Sequence, residues 1–215
     1  MTRRDALQRE PSAMTEIHSF TVGLLSVNCY LLYHPESREC LIVDPGDHGD
    51  KIQAELRKLS LQPRGILLTH GHVDHISAVP AIAKAYDIPV WIHQADRGLY
   101  SNPDNAILPW ISAAKDLPEP CDTPPQIAGI NYEIIHTPGH SPGCVCFYFP
   151  AEQFLLSGDT LFRGTVGRTD FPGGSTAQLM ASIKNKLLVL PDRTTVYPGH
   201  EAPTSIARER PNFID

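Results

Sequence analysis

Four apolar segments of this chain each run into a tight turn that ends on a histidine or an aspartate, and this repetition limits what the chain can fold into. GILLTH ends at His70 and continues as GHVDH, YEIIHTPGH reaches His140, FLLSGD reaches Asp159, and TVYPGH reaches His200. Loops at one end of a rigid sheet are where binding groups concentrate. We therefore expect four strands whose ends bring these side chains to one site.

The residue types in these turns predict a metal site. His70 and His72 lie two positions apart in an extended segment, so both rings can face one ion. Imidazole nitrogen and carboxylate oxygen suit Zn²⁺, Fe²⁺ or Mn²⁺. The candidate ligands are His70, His72, Asp74, His75, His140, Asp159 and His200. This set is too large for one four-coordinate ion, so we expect two divalent transition metals, zinc first and iron or manganese open, with a shared carboxylate.

Composition and charge narrow the class of protein. The 215 residues are 41% hydrophobic and 20% charged, which is typical of a globular protein with a sizeable core. The net charge of −6 argues against nucleic acid or an anionic membrane as a partner. The sequence also lacks an apolar run of the roughly 20 residues that a membrane helix needs.

The N-terminal segment and the cysteines predict where the protein resides. Residues 1–14 are expected to be a disordered extension, with Met14 as an alternative start, and residues 15–215 to be one domain. The extension is basic but has no apolar segment, so it does not resemble a secretory signal. The five cysteines form no CxxC pair, which fits a reducing compartment. We expect a cytoplasmic location.

Apolar periodicity predicts strands alternating with helices. Strands are expected at 16–22, 27–33, 40–44, 64–69, 130–136, 143–149, 153–157 and 194–198. Helices are expected at 50–60, 75–86 and 175–190, with a closing helical turn at 203–209. The order predicts an α/β protein in which two packed sheets carry helices on their outer faces, in four layers.

One long segment does not fit this pattern. Residues 101–126 contain six prolines and little periodicity, so we expect an irregular loop. A loop of this length inside a compact domain is usually functional or mobile.

Several other polar residues admit two interpretations. The remaining histidines are expected to be surface or core residues: His18, His34, His48, His93 and His136. His136 has a second interpretation as support for a ligand. Cys144 and Cys146 are expected to be core residues, with metal ligation as the alternative. Asp44 precedes a Pro-Gly turn and either shapes that turn or orients a ligand histidine through a hydrogen bond.

The ordered motifs THGHVDH, TPGHSPG, SGDTLF and YPGH resemble those of the metallo-β-lactamase superfamily. The resemblance runs from about residue 16 and includes FRGTVGRTDFPGGS and RPNFI, which are similar to glyoxalase II-like hydrolases. It implies an αββα sandwich with the metals at one edge, between the sheets. It also implies one metal held by His70, His72 and His140, a second held by Asp74, His75 and His200, and Asp159 bridging them.

The implied reaction is hydrolysis of a thioester such as S-lactoylglutathione. Two ions about 3.5–4 Å apart can share a hydroxide. Metal binding lowers the pKa of water from 15.7 to about 7, so this hydroxide forms near neutral pH. Asp74 and Asp159 would hold the ions and accept a proton. Longer relatives contact glutathione through a C-terminal helical region, and this chain ends soon after His200. Its substrate contacts are therefore expected from Arg163, Arg168, Tyr100 and Trp110.

Other activities remain open. Arg168 either binds an anion or forms an ion pair with Asp170. Persulfide dioxygenases, which use one iron, resemble the same motifs, including a GRTDF-like segment. Lactonases share HxHxDH, and a promiscuous β-lactamase activity would use the same chemistry. A purely structural metal site is disfavoured, because such sites close with four ligands.

Overall fold

The computed structural model describes residues 14–213, so residues 1–13 of the expected extension lie outside the description. The strands are β1 (Glu16–Val22), β2 (Val27–Tyr33), β3 (Glu39–Val43), β4 (Gln62–Leu67), β5 (Val90–Trp91), β6 (Glu133–His136), β7 (Val145–Phe149), β8 (Phe154–Gly158), β9 (Leu161–Phe162), β10 (Thr165–Val166), β11 (Thr195–Pro198) and β12 (Thr204–Ser205). The α-helices are α1 (Gly49–Lys58), α2 (Val73–Ile76), α3 (Val79–Tyr86), α4 (Arg97–Tyr100), α5 (Thr176–Ser182) and α6 (Ile206–Glu209).

The strands form two large sheets. Within residues 14–213 one sheet has the order β1-β2-β3-β4-β5, the other has the order β12-β11-β8-β7-β6, and β9 pairs with β10 in a separate hairpin. Successive side chains of a strand point to opposite faces. Leu31 and Leu32 on β2 are both fully buried but pack into different apolar clusters, so the first sheet is covered on both faces.

Three apolar clusters define the layers. In the first cluster, Ile52 of α1 and Ile82 of α3 pack on the outer face of the first sheet. The middle cluster joins Leu67 of β4 to Phe147 of β7 between the sheets. The third packs Leu179 of α5 on the outer face of the second sheet. The predicted four-layer αββα sandwich is confirmed.

The strand directions place the metal-capable turns at one edge. Because β7 is antiparallel to both β6 and β8, and β11 is parallel to β8, the strands β6, β8 and β11 run in the same direction. Their carboxyl ends lead to His140, Asp159 and His200. In the other sheet β3, β4 and β5 are parallel, and β4 leads to His70. The strand ends of both sheets therefore lead to a common edge.

The observed helices are shorter than the predicted ones. The expected helix at 75–86 is divided into α2 and α3, with Pro80 in the first turn of α3, where a missing N–H leaves no helix hydrogen bond unmade. The expected helix at 175–190 begins with Ser175 as its N-cap, whose side chain accepts from the Gln178 amide, but α5 gives way to a π-helical turn at Ile183–Leu187. The short strands β5, β9, β10 and β12 and the short helix α4 were not predicted.

The loop at 101–126 is irregular, as expected, and contains the isolated bridge between Ile107 and Ile111. None of the helices between residues 14 and 213 is long and apolar enough to cross a membrane.

Candidate metal centre

The seven predicted ligands meet at one edge of the sandwich. They form overlapping groups whose ligand atoms lie within 4.8 Å of one another: His70 with His72 and His140, His70 with His75 and Asp159, and Asp74 with His75 and His200. The first and last groups match the two donor sets that the sequence resemblance implied, and we call them donor set A (His70, His72, His140) and donor set B (Asp74, His75, His200).

Hydrogen bonds at Nδ1 turn most of these rings the same way. The Nδ1–H groups of His75, His140 and His200 donate to Asp44 Oδ2 at 3.0 Å, the Arg168 carbonyl at 2.7 Å and the Leu25 carbonyl at 3.0 Å, respectively. A bond at one ring nitrogen sets the tautomer and leaves the other nitrogen as a ligand atom. In these three rings Nε2 is therefore the atom that faces the cluster.

Asp44 orients one histidine of each donor set: His75 directly and His70 through the Thr69 hydroxyl. Its Oδ2 also accepts from the Thr69 hydroxyl at 2.6 Å, and its Oδ1 accepts from the Thr69 amide at 2.8 Å. Since the Thr69 hydroxyl gives its proton to Asp44, it can accept the Nδ1–H of His70, 3.1 Å away. Asp44 also has a positive φ of 51°. Both interpretations of this residue, as a turn residue and as an orienting carboxylate, therefore have structural support.

Asp159 lies between the two sets. Its Oδ2 is 3.5 Å from His140 Nε2 and 3.6 Å from His200 Nε2, and its Oδ1 is 3.5 Å from His75 Nε2. Gly199 permits this arrangement, since a Cβ at that position would lie 2.2 Å from Asp159 Oδ1. The carboxylate thus contacts both sets, as a bridging ligand would.

Buried polar atoms without partners show that the cluster fits metal ions. Among the described residues, His70 Nε2, His75 Nε2 and Asp159 Oδ1 are buried and have no hydrogen-bond partner. Leaving such atoms unsatisfied is costly unless something else binds them. Two further ring nitrogens, His72 Nδ1 and His140 Nε2, face each other at 2.8 Å. Nitrogen and oxygen donors with lone pairs aimed inward suit divalent cations.

The two donor sets differ in charge. Burial, reinforced by the neighbouring imidazoles, lowers the pKa of His70 well below its ordinary value and that of His72 to about 3. Burial also opposes the charged form of His75, but the carboxylates of Asp159, Asp74 and Asp44 outweigh it and raise the pKa of His75 to about 10. In the metal-free protein at neutral pH, His70 and His72 are therefore neutral and His75 is protonated.

The comparison with family models identifies the protein class. The model described as the metallo-beta-lactamase superfamily matches residues 22–200, which include all seven cluster residues. The chain belongs to the metallo-beta-lactamase superfamily.

Similar members of the superfamily span almost the whole chain. The probable metallo-hydrolase YqgX of Bacillus subtilis is 36% identical over 195 residues, covering 88% of this chain and 92% of YqgX. The hydroxyacylglutathione hydrolase GloC of Haemophilus influenzae is 34% identical over 208 residues, covering 90% of this chain and 94% of GloC.

Solved structures of the superfamily share the fold. The B3 metallo-beta-lactamase BLEG-1 has a TM-score of 0.83 and 38% identity, covering 93% of this chain and all of BLEG-1. TTHA1623, solved in a di-iron-bound form, has a TM-score of 0.78 and 38% identity, covering 90% of this chain and 96% of TTHA1623. ETHE1 from Myxococcus xanthus has a TM-score of 0.70 and 25% identity, covering 92% and 83%. The cluster and the di-iron relative together support a dinuclear metal site.

A cavity of about 1280 Å³ opens beside this superfamily metal centre. Its apolar wall contains Leu25, Val73, Leu99, Ile107, Phe162 and Phe171. Its polar wall includes His72, Asp74, His140, Asp159 and His200, together with Arg168, Asp104 and Glu201. A small molecule in the cavity would therefore contact the cluster and an apolar surface at the same time.

Of the four predicted substrate contacts, Arg168 lines this cavity and the other three do not. Arg168 lines it, and its guanidinium makes two hydrogen bonds to Asp170 and lies 4.1 Å from the centre of the Phe171 ring. Tyr100 is 2% exposed, and its hydroxyl donates to the Pro118 carbonyl, so it is a core residue. Arg163 and Trp110 are exposed and are not among the described residues that line the cavity.

The residues predicted to lie outside the centre do so. His136 stacks on His93 with ring centroids 4.2 Å apart, and its Nε2–H donates to the Pro142 carbonyl. Cys144 and Cys146 are buried, and neither belongs to a metal-capable group among the described residues. The core interpretation of this cysteine pair therefore agrees with its position.

Two buried side chains near the centre were missed. Asp96 accepts hydrogen bonds from the loops of both His72 and His140. Asn105 donates to the Gly71 carbonyl and accepts from the Val73 amide, so it brackets His72. The one sequence signal for Asp96 is its place after β5, which is parallel to β4 and ends at the same edge. Asn105 lies in the irregular loop, where no pattern marks it.

The unequal charges predict that donor set B releases protons when it binds metal, whereas His70 and His72 of set A do not. A metal ligand must be deprotonated, so binding at His75 has to displace its proton and tightens as pH rises towards about 10. In the metal-free protein the raised pKa of His75 also increases the free energy of unfolding, because the folded state binds this proton more tightly than the unfolded chain does. The contribution is complete below about pH 6.5 and is lost as pH rises through about 10.

Calorimetric titration of the chelator-stripped protein in buffers of different ionisation enthalpy measures this release at pH 7. We expect one of two binding events to release more protons than the other, and His75→Ala to reduce that difference; carboxylates also raise the pKa of His200, so this ring can still release a proton. Equal proton release in both events would contradict the assignment.

Proposed function

We propose that this protein is a dinuclear metal-dependent hydrolase that cleaves an acyl thioester such as S-lactoylglutathione. The observation that carries the proposal is the second donor set: Asp74, His75 and His200 converge beside donor set A, with Asp159 between the two. A mononuclear reaction would need only one of these sets. We assign one ion to each set, with Asp159 as the shared ligand and zinc as the first choice of metal.

The bound metals would activate water near neutral pH and polarise the carbonyl under attack. The protein's own groups do the rest. Asp159 and Asp74 present carboxylate oxygens at the cavity wall, where a proton from the attacking water can be received. Burial disfavours the charged form of Asp74, but the charge of His75 and a hydrogen bond from His200 outweigh it and hold its pKa below the ordinary range. Asp74 is therefore ionised and better suited to binding a cation than to keeping a proton.

The similarity to GloC supports a thioester as the substrate. GloC is a hydroxyacylglutathione hydrolase, and 94% of its length aligns with this chain. Whatever contacts GloC uses for its substrate therefore lie almost entirely within the region that the two proteins share. The apolar wall of the cavity, with Leu25, Ile107 and Phe171, can shield the acyl carbon from bulk water.

Two other reactions have an observation in their favour. A β-lactam substrate is supported by the 38% identity to the B3 metallo-beta-lactamase BLEG-1. Hydrolysis of the β-lactam amide would use the same activated water as hydrolysis of a thioester. Iron-dependent oxidation of a persulfide is the other alternative, because TTHA1623 shows that a chain 38% identical to this one can bind iron, although it binds two iron ions. Hydrolysis is preferred over oxidation because donor set B would have no role in a reaction that uses one iron.

Four measurements on one preparation test the proposal. We expect close to two metals per chain, release of glutathione from S-lactoylglutathione, no oxygen uptake with glutathione persulfide, and slower hydrolysis of a chromogenic cephalosporin. Metal content is measured by mass spectrometry and thiol release by a colorimetric reagent. One iron per chain together with oxygen consumption would overturn the proposal, and a faster reaction with the cephalosporin would replace the thioester.

Asp74→Ala should remove a ligand of donor set B. We expect turnover to fall by about 100-fold or more, at least the loss found for groups that only orient a metal ligand, and metal content to fall from two towards one per chain. Asp50→Ala, which removes an exposed carboxylate of α1, is the matched control. Turnover close to wild type in Asp74→Ala would contradict a dinuclear mechanism.

Arg168 and Asp170 form a pair of variants that separates anion binding from a structural ion pair. If the guanidinium binds a glutathione carboxylate, Arg168→Gln should raise KM by about 10-fold with kcat unchanged, as for loss of a charge-assisted hydrogen bond. Asp170→Asn should then leave KM unchanged or lower it, because it frees the guanidinium. If both variants change KM in the same direction, Arg168 acts through Asp170 and not on the substrate.

A further inference from the structure

We propose that Asp96 is a positioning residue that ties the loop of His70 and His72 to the loop of His140 and so sets the metal affinity of donor set A. The inference rests on the metal centre of the proposed function and not on the identity of the substrate. Asp96 contacts none of the three histidine rings directly. It holds the backbone and the side chain of residues next to them.

The contacts of Asp96 reach both loops. Its Oδ2 accepts from the Gly71 amide at 2.9 Å and from the Ser141 hydroxyl at 2.6 Å, and its Oδ1 accepts from the Gly143 amide at 2.5 Å. Gly71 lies between His70 and His72, and Ser141 follows His140 directly. One carboxylate therefore bonds to neighbours of all three members of donor set A.

The carboxylate is held tightly enough to act in this way. Asp96 is 0% exposed, so water does not compete for its oxygens. A hydrogen bond to a charged acceptor in such a place is stronger than a neutral one. The backbone at Gly143 is also shaped for the contact, since a Cβ there would lie 2.6 Å from Asp96 N and 2.6 Å from Oδ1. A side chain at Gly143 would force the two loops apart.

The two loops need such a tie because they belong to different sheets. The His70 loop follows β4 in one sheet, and the His140 loop connects β6 to β7 in the other. A backbone hydrogen bond from Val145 to Thr69 also links them, but it lies on the strand side of His70. Asp96 instead holds Gly71, between the two histidines of the first loop. The separation of His140 from His72 therefore depends on Asp96.

Asp96 does not hold donor set B in this way. The hydrogen bonds described for His75 and His200 outside the cluster go to Asp44 and to the Leu25 carbonyl. A residue that only supported the fold would affect both sets alike. A positioning residue should affect set A and spare set B, and this difference can be measured.

The test measures Co²⁺ affinity at each donor set separately. In an Asp74→Ala/His200→Ala background donor set A is read alone, and in a His72→Ala/His140→Ala background set B is read alone. Asp96→Ala is added to each, and Co²⁺ is titrated against a chromophoric chelator while the visible absorption of the bound ion is recorded. Circular dichroism checks folding. Asp122→Asn is the matched control, because Asp122 is 93% exposed and pairs with Arg97 outside the site.

We expect Asp96→Ala to weaken Co²⁺ binding at set A by about 10- to 100-fold and to change the absorption spectrum of that site, as for other groups that orient metal ligands. Binding at set B should stay the same, as it should at both sets in Asp122→Asn. Asp96→Asn should give a smaller loss, because an amide oxygen can still accept. Equal losses at both sets, or no loss at set A, would overturn the proposal.

Ser141→Ala keeps the test decisive if Asp96→Ala does not fold. It removes one of the three hydrogen bonds to Asp96 and leaves the carboxylate in place. A smaller loss of Co²⁺ affinity confined to set A supports the proposal, and an unchanged affinity at set A contradicts it. Failure to hydrolyse any thioester would count against the proposed function alone, because none of these titrations uses a substrate.

Discussion

The structure depends on holding many imidazole and carboxylate groups together where water cannot reach them. His70 and His75 are fully buried, and their Nε2 atoms have no hydrogen-bond partner among the described residues. Like charges and unsatisfied lone pairs at such distances oppose folding unless cations neutralise them. The sandwich supplies rigid strand ends that keep these groups in place, and bound ions would supply the compensating charge. Scaffold and cofactor thus stabilise one another.

The sequence predicted much of this centre because its ligands follow regular elements. His140, Asp159 and His200 come after strands that run in the same direction, and this direction follows from ordinary strand pairing. The residues that brace the ligands could not be predicted in the same way. Asp96 and Asn105 act across 25 to 47 positions of sequence, through loops without periodicity. Contacts of this kind become visible only when the loops are folded.

In the proposed reaction the metal centre and the cavity walls have separate roles. This chain is similar, at 34% and 38% identity, to a hydroxyacylglutathione hydrolase and to a B3 metallo-beta-lactamase. Activated water can attack either kind of acyl group, so the metal ligands do not choose between them. Under the proposed function, the choice of substrate would depend on the walls of the cavity, where Phe162, Phe171 and Arg168 lie. These positions are where activity assays with variants carry the most information.

The irregular loop at 101–126 connects the cavity wall to the metal centre through the side chain of Asn105. Ala106 and Ile107 line the cavity, while the adjacent Asn105 bonds on either side of His72. If the loop shifted to fit a different acyl group, Asn105 would move with its neighbour Ala106. This movement would displace the backbone on both sides of His72, a candidate metal ligand. A change of specificity in this segment is therefore constrained. Substitutions at Ala106 and Ile107 would alter the cavity wall, whereas loss of the Asn105 side chain would remove the hydrogen bonds on both sides of His72.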